Sequence, residues 1–187
     1  MSELLDPPIS LRDLARISVA DFHRADELGI YGRHAVLIRG LVTEKPPMSP
    51  LHLTLSKRLY DRLLRLDLPG CSVRQDGPLT LRDSEPRPDV AVVAGPDEAF
   101  EQAHPTTALL VIEVAVTSEA LDRGMAAIYA EAGVREYWIV LAAKRQVEVY
   151  REPAGSDFRE RRLYAADEEL LCAALPAIRI PLAELFG

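Results

Sequence analysis

The spacing of apolar and polar positions predicts alternating helices and strands. Over residues 10–28, Leu11, Leu14, Ile17, Phe22, Ala25 and Leu28 recur near the helical period, which predicts one or two short helices entered at Ser10 or Ser18. Past Gly29, residues 35–42 read as a strand interrupted by Gly40, a place for a hairpin turn or bulge. Lys45-Pro46-Pro47-Met48-Ser49-Pro50 then breaks the pattern. In residues 51–66, Leu51, Leu55, Leu59, Leu63 and Leu66 share one helical face, with Lys57, Arg58, Arg62 and Arg65 interspersed. Exposed arginine on a helix is ordinarily a solvated face, with contact to DNA as the alternative.

Strand patterns follow at Val73, 79–81, 90–93 and 109–116, separated by turns holding Gly77, Pro86, Pro88, Gly95 and Pro96. Thr117 or Ser118 caps a predicted helix that runs to Ala132 and closes on Gly133. Residues 137–140 and 146–150 are two more predicted strands joined around Lys144, and 175–181 reads as a short edge strand before a terminal helical turn. With no internal repeat, low-complexity tract or long linker, the expectation is one mixed α/β domain over 1–187 with a helical segment at about 10–28.

Two charges interrupt this apolar pattern. Asp89 opens the β-branched run 90–93, and Glu113 sits inside Val111-Ile112-Glu113-Val114-Ala115, 24 residues later. An unpaired carboxylate on a buried strand is costly, and a shared divalent cation would offset that cost. Magnesium takes one or two carboxylates with waters and phosphate oxygens, so an Asp and a Glu on neighbouring strands suit phosphodiester hydrolysis. Pairing of both with local arginine is the alternative.

Composition narrows the class. At 187 residues and 48% hydrophobic content the chain can bury a core. A net charge of −7 and a pI near 5.2 argue against a protein that coats nucleic acid generally. Cys71 and Cys172 form no CxxC pair and are read as reduced thiols, with neither a zinc site nor a disulfide framework. The acidic N-terminus and the lack of an apolar run near the ~20 residues that span a bilayer predict a cytoplasmic protein without membrane contact. No GxxxxGK[ST] or GxGxxG element is present, so no nucleotide cofactor is expected. His23, His34 and His104 show no spacing toward a nucleophile. His52, entering the basic helix, suits either a phosphate contact or helix-entry packing. Tyr129, Tyr137 and Trp138 are read as core rather than as stacking platforms for bases.

Several segments together resemble the Uma-type restriction endonuclease domains, a bacterial branch of the PD-(D/E)XK nuclease superfamily. They are Gly40-Leu41-Val42 with Met48-Ser49-Pro50 and His52, Ser84-Glu85-Pro86-x-Pro88-Asp89, Leu110-Val111-Ile112-Glu113-Val114-Ala115 and Asp122-Arg123. Tyr129-Ala130-x-Ala132-Gly133-Val134-x-Glu136-Tyr137-Trp138-Ile139-Val140 and Val147-Glu148-Val149-Tyr150-Arg151 complete the match, which runs over nearly the whole chain. The resemblance implies a restriction-endonuclease-like fold, a central mixed β-sheet flanked by helices, acting as a metal-dependent DNA endonuclease. It makes Asp89 and Glu113 the catalytic carboxylates and metal ligands, joined by the backbone carbonyl of Val114, with Mg2+ or Mn2+ as the cofactor. DNA is the implied substrate and a homodimer the expected assembly.

Departures from the family pattern lie at the same site. The superfamily lysine two residues past the Glu is Ala115 here, and the displaced position on the following helix, four residues before Tyr129, is Met125. Val36 and Val116 stand where the family usually has acidic residues, and Leu141 where it often has Asp. A methionine neither orients water nor stabilises phosphate charge, so Arg123 and Lys144 become the candidates to supply the cation. The alternative reading is a catalytically inactive nuclease-fold module that binds DNA or protein.

Overall fold

Within the apolar spacing of residues 10–28, a helix forms at Val19–Glu27 (α1), where the extended Ser18 accepts a hydrogen bond from the Asp21 N–H. The computed structural model describes residue 10 and residues 13–187, so Leu11 lies outside the described residues. Two compact units emerge: the described residues up to 46 with 81–86, and residues 47–80 with 87–187.

In the first unit, Ala35–Ile38 (β1) and Leu41–Glu44 (β2) form an antiparallel hairpin. Arg39 and Gly40 both take positive φ, 54° and 77°, which matches the right-handed twist of the flanking strands. A Cβ on Gly40 would lie 2.9 Å from the Arg16 Cβ, so only glycine fits this turn. Residues 81–86 fasten to the hairpin: Gly40 N–H donates to Asp83 O, Arg39 N–H to Ser84 Oγ and Glu85 N–H to Leu37 O. His23 Nε2 meets Glu85 Oε2 at 2.5 Å.

The second unit opens with Pro50–Leu64 (α2), capped by Ser49, whose hydroxyl accepts from the His52 N–H at 3.2 Å, with Pro50 in the first turn. Its apolar face buries Leu55, Leu59 and Leu63, while Leu51 remains exposed. Six strands follow in chain order across one sheet: Cys71–Gln75 (β3), Val90–Ala94 (β4), Leu110–Ala115 (β5), Glu136–Leu141 (β6), Gln146–Ala154 (β7) and Asp157–Tyr164 (β8). Neighbours are antiparallel except β5 and β6, which run parallel across the connecting helix Glu119–Glu131 (α3). Gly133, at φ 71°, ends that helix. Residues 79–81 form no strand. They lie between Gly77-Pro78 and the turn closed by Leu81 N–H on Ser84 O, so Leu79 is buried from a loop. Glu169–Leu171 (β9) pairs with Arg179–Pro181 (β10), and Leu182–Phe186 (α4) ends the chain.

The sheet has two unlike faces because side chains alternate along each strand. One face sets Val90, Val92, Leu110, Ile112, Val114, Trp138, Val140, Val147 and Val149 against Leu55, Leu59 and Leu63 of α2 and Leu182 and Leu185 of α4. The other lies under α3 and carries a run of rings, with Tyr129 4.8 Å from Tyr137 and Tyr137 5.7 Å from Tyr150. Fully buried Glu136 accepts from Trp138 Nε1, Arg151 Nε and the backbone N–H groups of Ala173 and Ala174, so its charge is fully engaged. Burial and the nearby Glu136 push the free Cys172 thiol up to about 12. At the sheet edge, β8 buries Phe158 and Tyr164 and exposes the residues between them. Among the described residues no helix is long and apolar enough to cross a membrane.

Candidate active site

The register of β4 against β5 brings the two carboxylates together. Val90 stands opposite Ile112, so Asp89, just before the strand, falls abreast of Glu113 on the face under α3. The two are cross-linked: Asp89 N–H donates to Glu113 Oε2 at 3.1 Å, and Val114 N–H donates to Asp89 Oδ2 at 2.8 Å. Both residues are buried. Burying two carboxylates side by side is costly, and each donor aimed at them offsets part of that cost.

Two further residues complete the setting. From α3, the buried Tyr129 hydroxyl donates to Glu113 Oε1 at 2.9 Å. Burial first, then the neighbouring Glu113, Tyr137 and Asp89, raise its pKa well above the phenol range, which keeps it a donor. Tyr129 thus packs as a core ring and also orients the Glu113 carboxylate. The repetitive spacing that marks a core residue carries no sign of that second role. Tyr137 and Trp138 fill the core and spend their polar atoms on Asp122 O and Glu136. From the first turn of α2, His52 Nε2 comes within 3.0 Å of Asp89 Oδ2. His52 stands in the helix entry, its backbone N–H taken by Ser49 Oγ, and its ring lies beside Asp89, a contact that neither expected role described. His23 pairs with Glu85 instead.

The proposed replacement cations are engaged by other carboxylates. Arg123 makes hydrogen bonds to Glu148 and Glu119, and Lys144 reaches Glu119 at 2.6 Å. Burial works against the charge on Glu148, but hydrogen bonds from Arg123, Tyr150 and Arg161 hold its carboxyl down at about 2. Glu113, Ile139 and Glu148 share one row across β5, β6 and β7, so this ion cluster occupies the same face two strands away. Met125 is buried on α3, one turn before Tyr129 and hence on the same helical side. Val116 packs against the apolar core and Leu141 is buried at the end of β6, as their side chains dictate.

Among the described residues no three His, Cys, Asp or Glu side chains converge as a ready-made metal cluster. Asp89, Glu113 and the Val114 carbonyl supply hard oxygen donors suited to Mg2+ or Mn2+. The buried His52 Nε2 has no hydrogen-bond partner among the described residues despite its closeness to Asp89, an orphaned donor atom beside those oxygens. The set fits a divalent cation.

A six-stranded mixed sheet with one parallel crossover, helices on both faces and a carboxylate pair facing each other from the start of β4 and from β5 defines a restriction-endonuclease-like α/β fold. The chain belongs to the Uma2 family, described as "putative restriction endonuclease", whose family model matches residues 19–183. Among solved structures it is similar to a protein of Anabaena variabilis described as a putative nuclease belonging to DUF820. That match has a TM-score of 0.73 and 16% identity, and it covers 86% of this chain and 96% of the other. Among curated proteins none matches the sequence.

Proposed function

We propose that the chain is a metal-dependent endonuclease that hydrolyses phosphodiester bonds in DNA. The observation that carries this reading is the cross-linked pair Asp89 and Glu113, placed by strand register and buried where only a partner cation or donors make two carboxylates tolerable. Asp89, Glu113 and the Val114 carbonyl would hold Mg2+ or Mn2+. When bound, the ion would lower the pKa of a coordinated water and offset charge building on the phosphate. Tyr129 and the two backbone N–H groups fix the carboxylates, so little reorganisation is needed as charge moves. A homodimer presenting two such sites to a duplex is part of the proposal. It would show in light scattering as twice the 20.7 kDa chain mass.

One observation favours a second reading, an inactive module that binds DNA or protein. Met125 occupies the expected lysine position, and Arg123 and Lys144 are held by Glu148 and Glu119. Cleavage of supercoiled and single-stranded DNA with Mn2+ or Mg2+, run beside Asp89→Ala, separates the two. Metal-dependent nicking that disappears in the variant supports the enzyme. A folded wild-type protein that cuts neither substrate supports the module.

A further inference from the structure

We propose that Arg74 binds a backbone phosphate of the DNA substrate beside the carboxylate pair, supplying a positive charge that Met125, Arg123 and Lys144 do not. This rests on the endonuclease reading of Asp89 and Glu113. Arg74 stands opposite Ala91 in the pairing of β3 with β4, and side chains directly opposite one another share a face of the sheet. Ala91 follows Asp89 by two residues, so Arg74, Asp89 and Glu113 all lie on the face that carries α3. Asp89 is thus a diagonal cross-strand neighbour of Arg74, a spacing of about 7–8 Å that long side chains can span. While α3 packs over β5, β6, β7 and β8, Arg74 projects from the border strand on the far side of β4.

The arginines on this side of the molecule differ in what holds them. Arg87 meets the Asp76 carboxylate at 3.6 Å, and Arg123 is held by Glu148 and Glu119. Arg74 has no carboxylate partner among the described residues. Its buried Nε lacks a hydrogen-bond acceptor there, and its guanidinium stands over the Phe100 ring, 5.5 Å from the centroid. An aromatic ring positions a guanidinium without neutralising it. Gly77 makes room beside it, where a Cβ would lie 3.1 Å from Nε and 3.4 Å from Nη2. A half-buried cation held by a ring and a glycine keeps its charge for an incoming anion, and the planar guanidinium matches two phosphate oxygens at once.

Fluorescence anisotropy of a labelled DNA duplex, titrated with the full chain in EDTA over a series of KCl concentrations, tests the assignment in the absence of cleavage. The proteins compared are wild type, Arg74→Gln and Arg65→Gln, the last removing an exposed charge at the end of α2. Arg74→Gln weakens binding on the order of tenfold at low salt and lowers the slope of log K against log[KCl] by about 0.9, the signature of one lost phosphate contact. Arg65→Gln changes both little. In wild type, the Arg74 Nε–H resonance, assigned through its own backbone, shifts as the duplex saturates the protein, a readout that needs no variant to fold. An unshifted resonance, wild-type affinity and slope in Arg74→Gln, or an equal loss in Arg65→Gln overturns the Arg74 assignment and leaves the DNA reading standing. Wild type that binds no duplex even at low salt overturns the DNA reading itself.

Discussion

Glu113 receives hydrogen bonds from two directions, the Tyr129 hydroxyl on Oε1 and the Asp89 N–H on Oε2. Its position was legible in the sequence because a carboxylate inside five apolar residues needs a reason, and Asp89 at the mouth of the next apolar run supplied one. The side chains that gather beside the pair were less legible. Tyr129 lies 16 residues along on a helix and His52 61 residues back, and no local pattern ties either to a strand carboxylate. Met125 carries a test at this scale. It lies on the side of α3 that presents Tyr129, so Met125→Lys aims an ammonium toward the carboxylates. Cleavage should rise above wild type, and adding Asp89→Ala should abolish the gain. A folded Met125→Lys protein that cuts no faster would mean the methionine was not the defect.

At the scale of elements, the helices and the interior strands followed their patterns. The leucine face marks α2, and Gly133 marks the end of α3. The run Asp157-Phe158-Arg159-Glu160-Arg161-Arg162-Leu163-Tyr164 has only two buried side chains, so β8 shows no period-two signal; its pairing with β7 makes it a strand. Residues 79–81 erred the other way, apolar because Leu79 is buried from a loop. The β7–β8 pair carries the pH prediction. Glu148, held near 2 against an ordinary value of 4.5, stabilises the fold fully above pH 4.5, and this contribution is lost as pH falls from there toward 2. Because Arg161 is solvent-exposed, screening leaves about 1–2 kcal/mol. Thermal denaturation should therefore show Glu148→Gln a few degrees less stable than wild type at pH 7, with the gap closing below pH 4.5. A gap that does not change with pH would show that Glu148 acts through shape rather than charge.

For the molecule as a whole, the two faces of the sheet divide the work. The α2 face is mostly hydrocarbon, broken by the buried Glu136–Arg151 pair, while the α3 face holds tyrosines, carboxylates and further ion pairs, the candidate site among them. Removing a leucine from the first should cost far more than removing a charge from the second. Leu59→Ala, at a site with no exposure, should lower unfolding free energy by about 2–5 kcal/mol in urea denaturation. A loss near that of Glu148→Gln would mean the α2 face is not where stability resides. The alternation of helix and strand was readable because the helices bury one face while the central strands are apolar on both. The order of the six strands was not, since register and the parallel crossover depend on pairings far apart in sequence.

The edge strand β8 has one more consequence. Its exposed Arg159, Glu160, Arg161 and Arg162, alternating between the two faces, crowd charge along a border whose backbone is otherwise ready to accept another chain. Any incoming strand would have to strip water from those groups and set them beside its own side chains. The sheet therefore ends at six strands by electrostatic refusal, and copies of this protein should resist stacking into fibrils along that border even at high concentration.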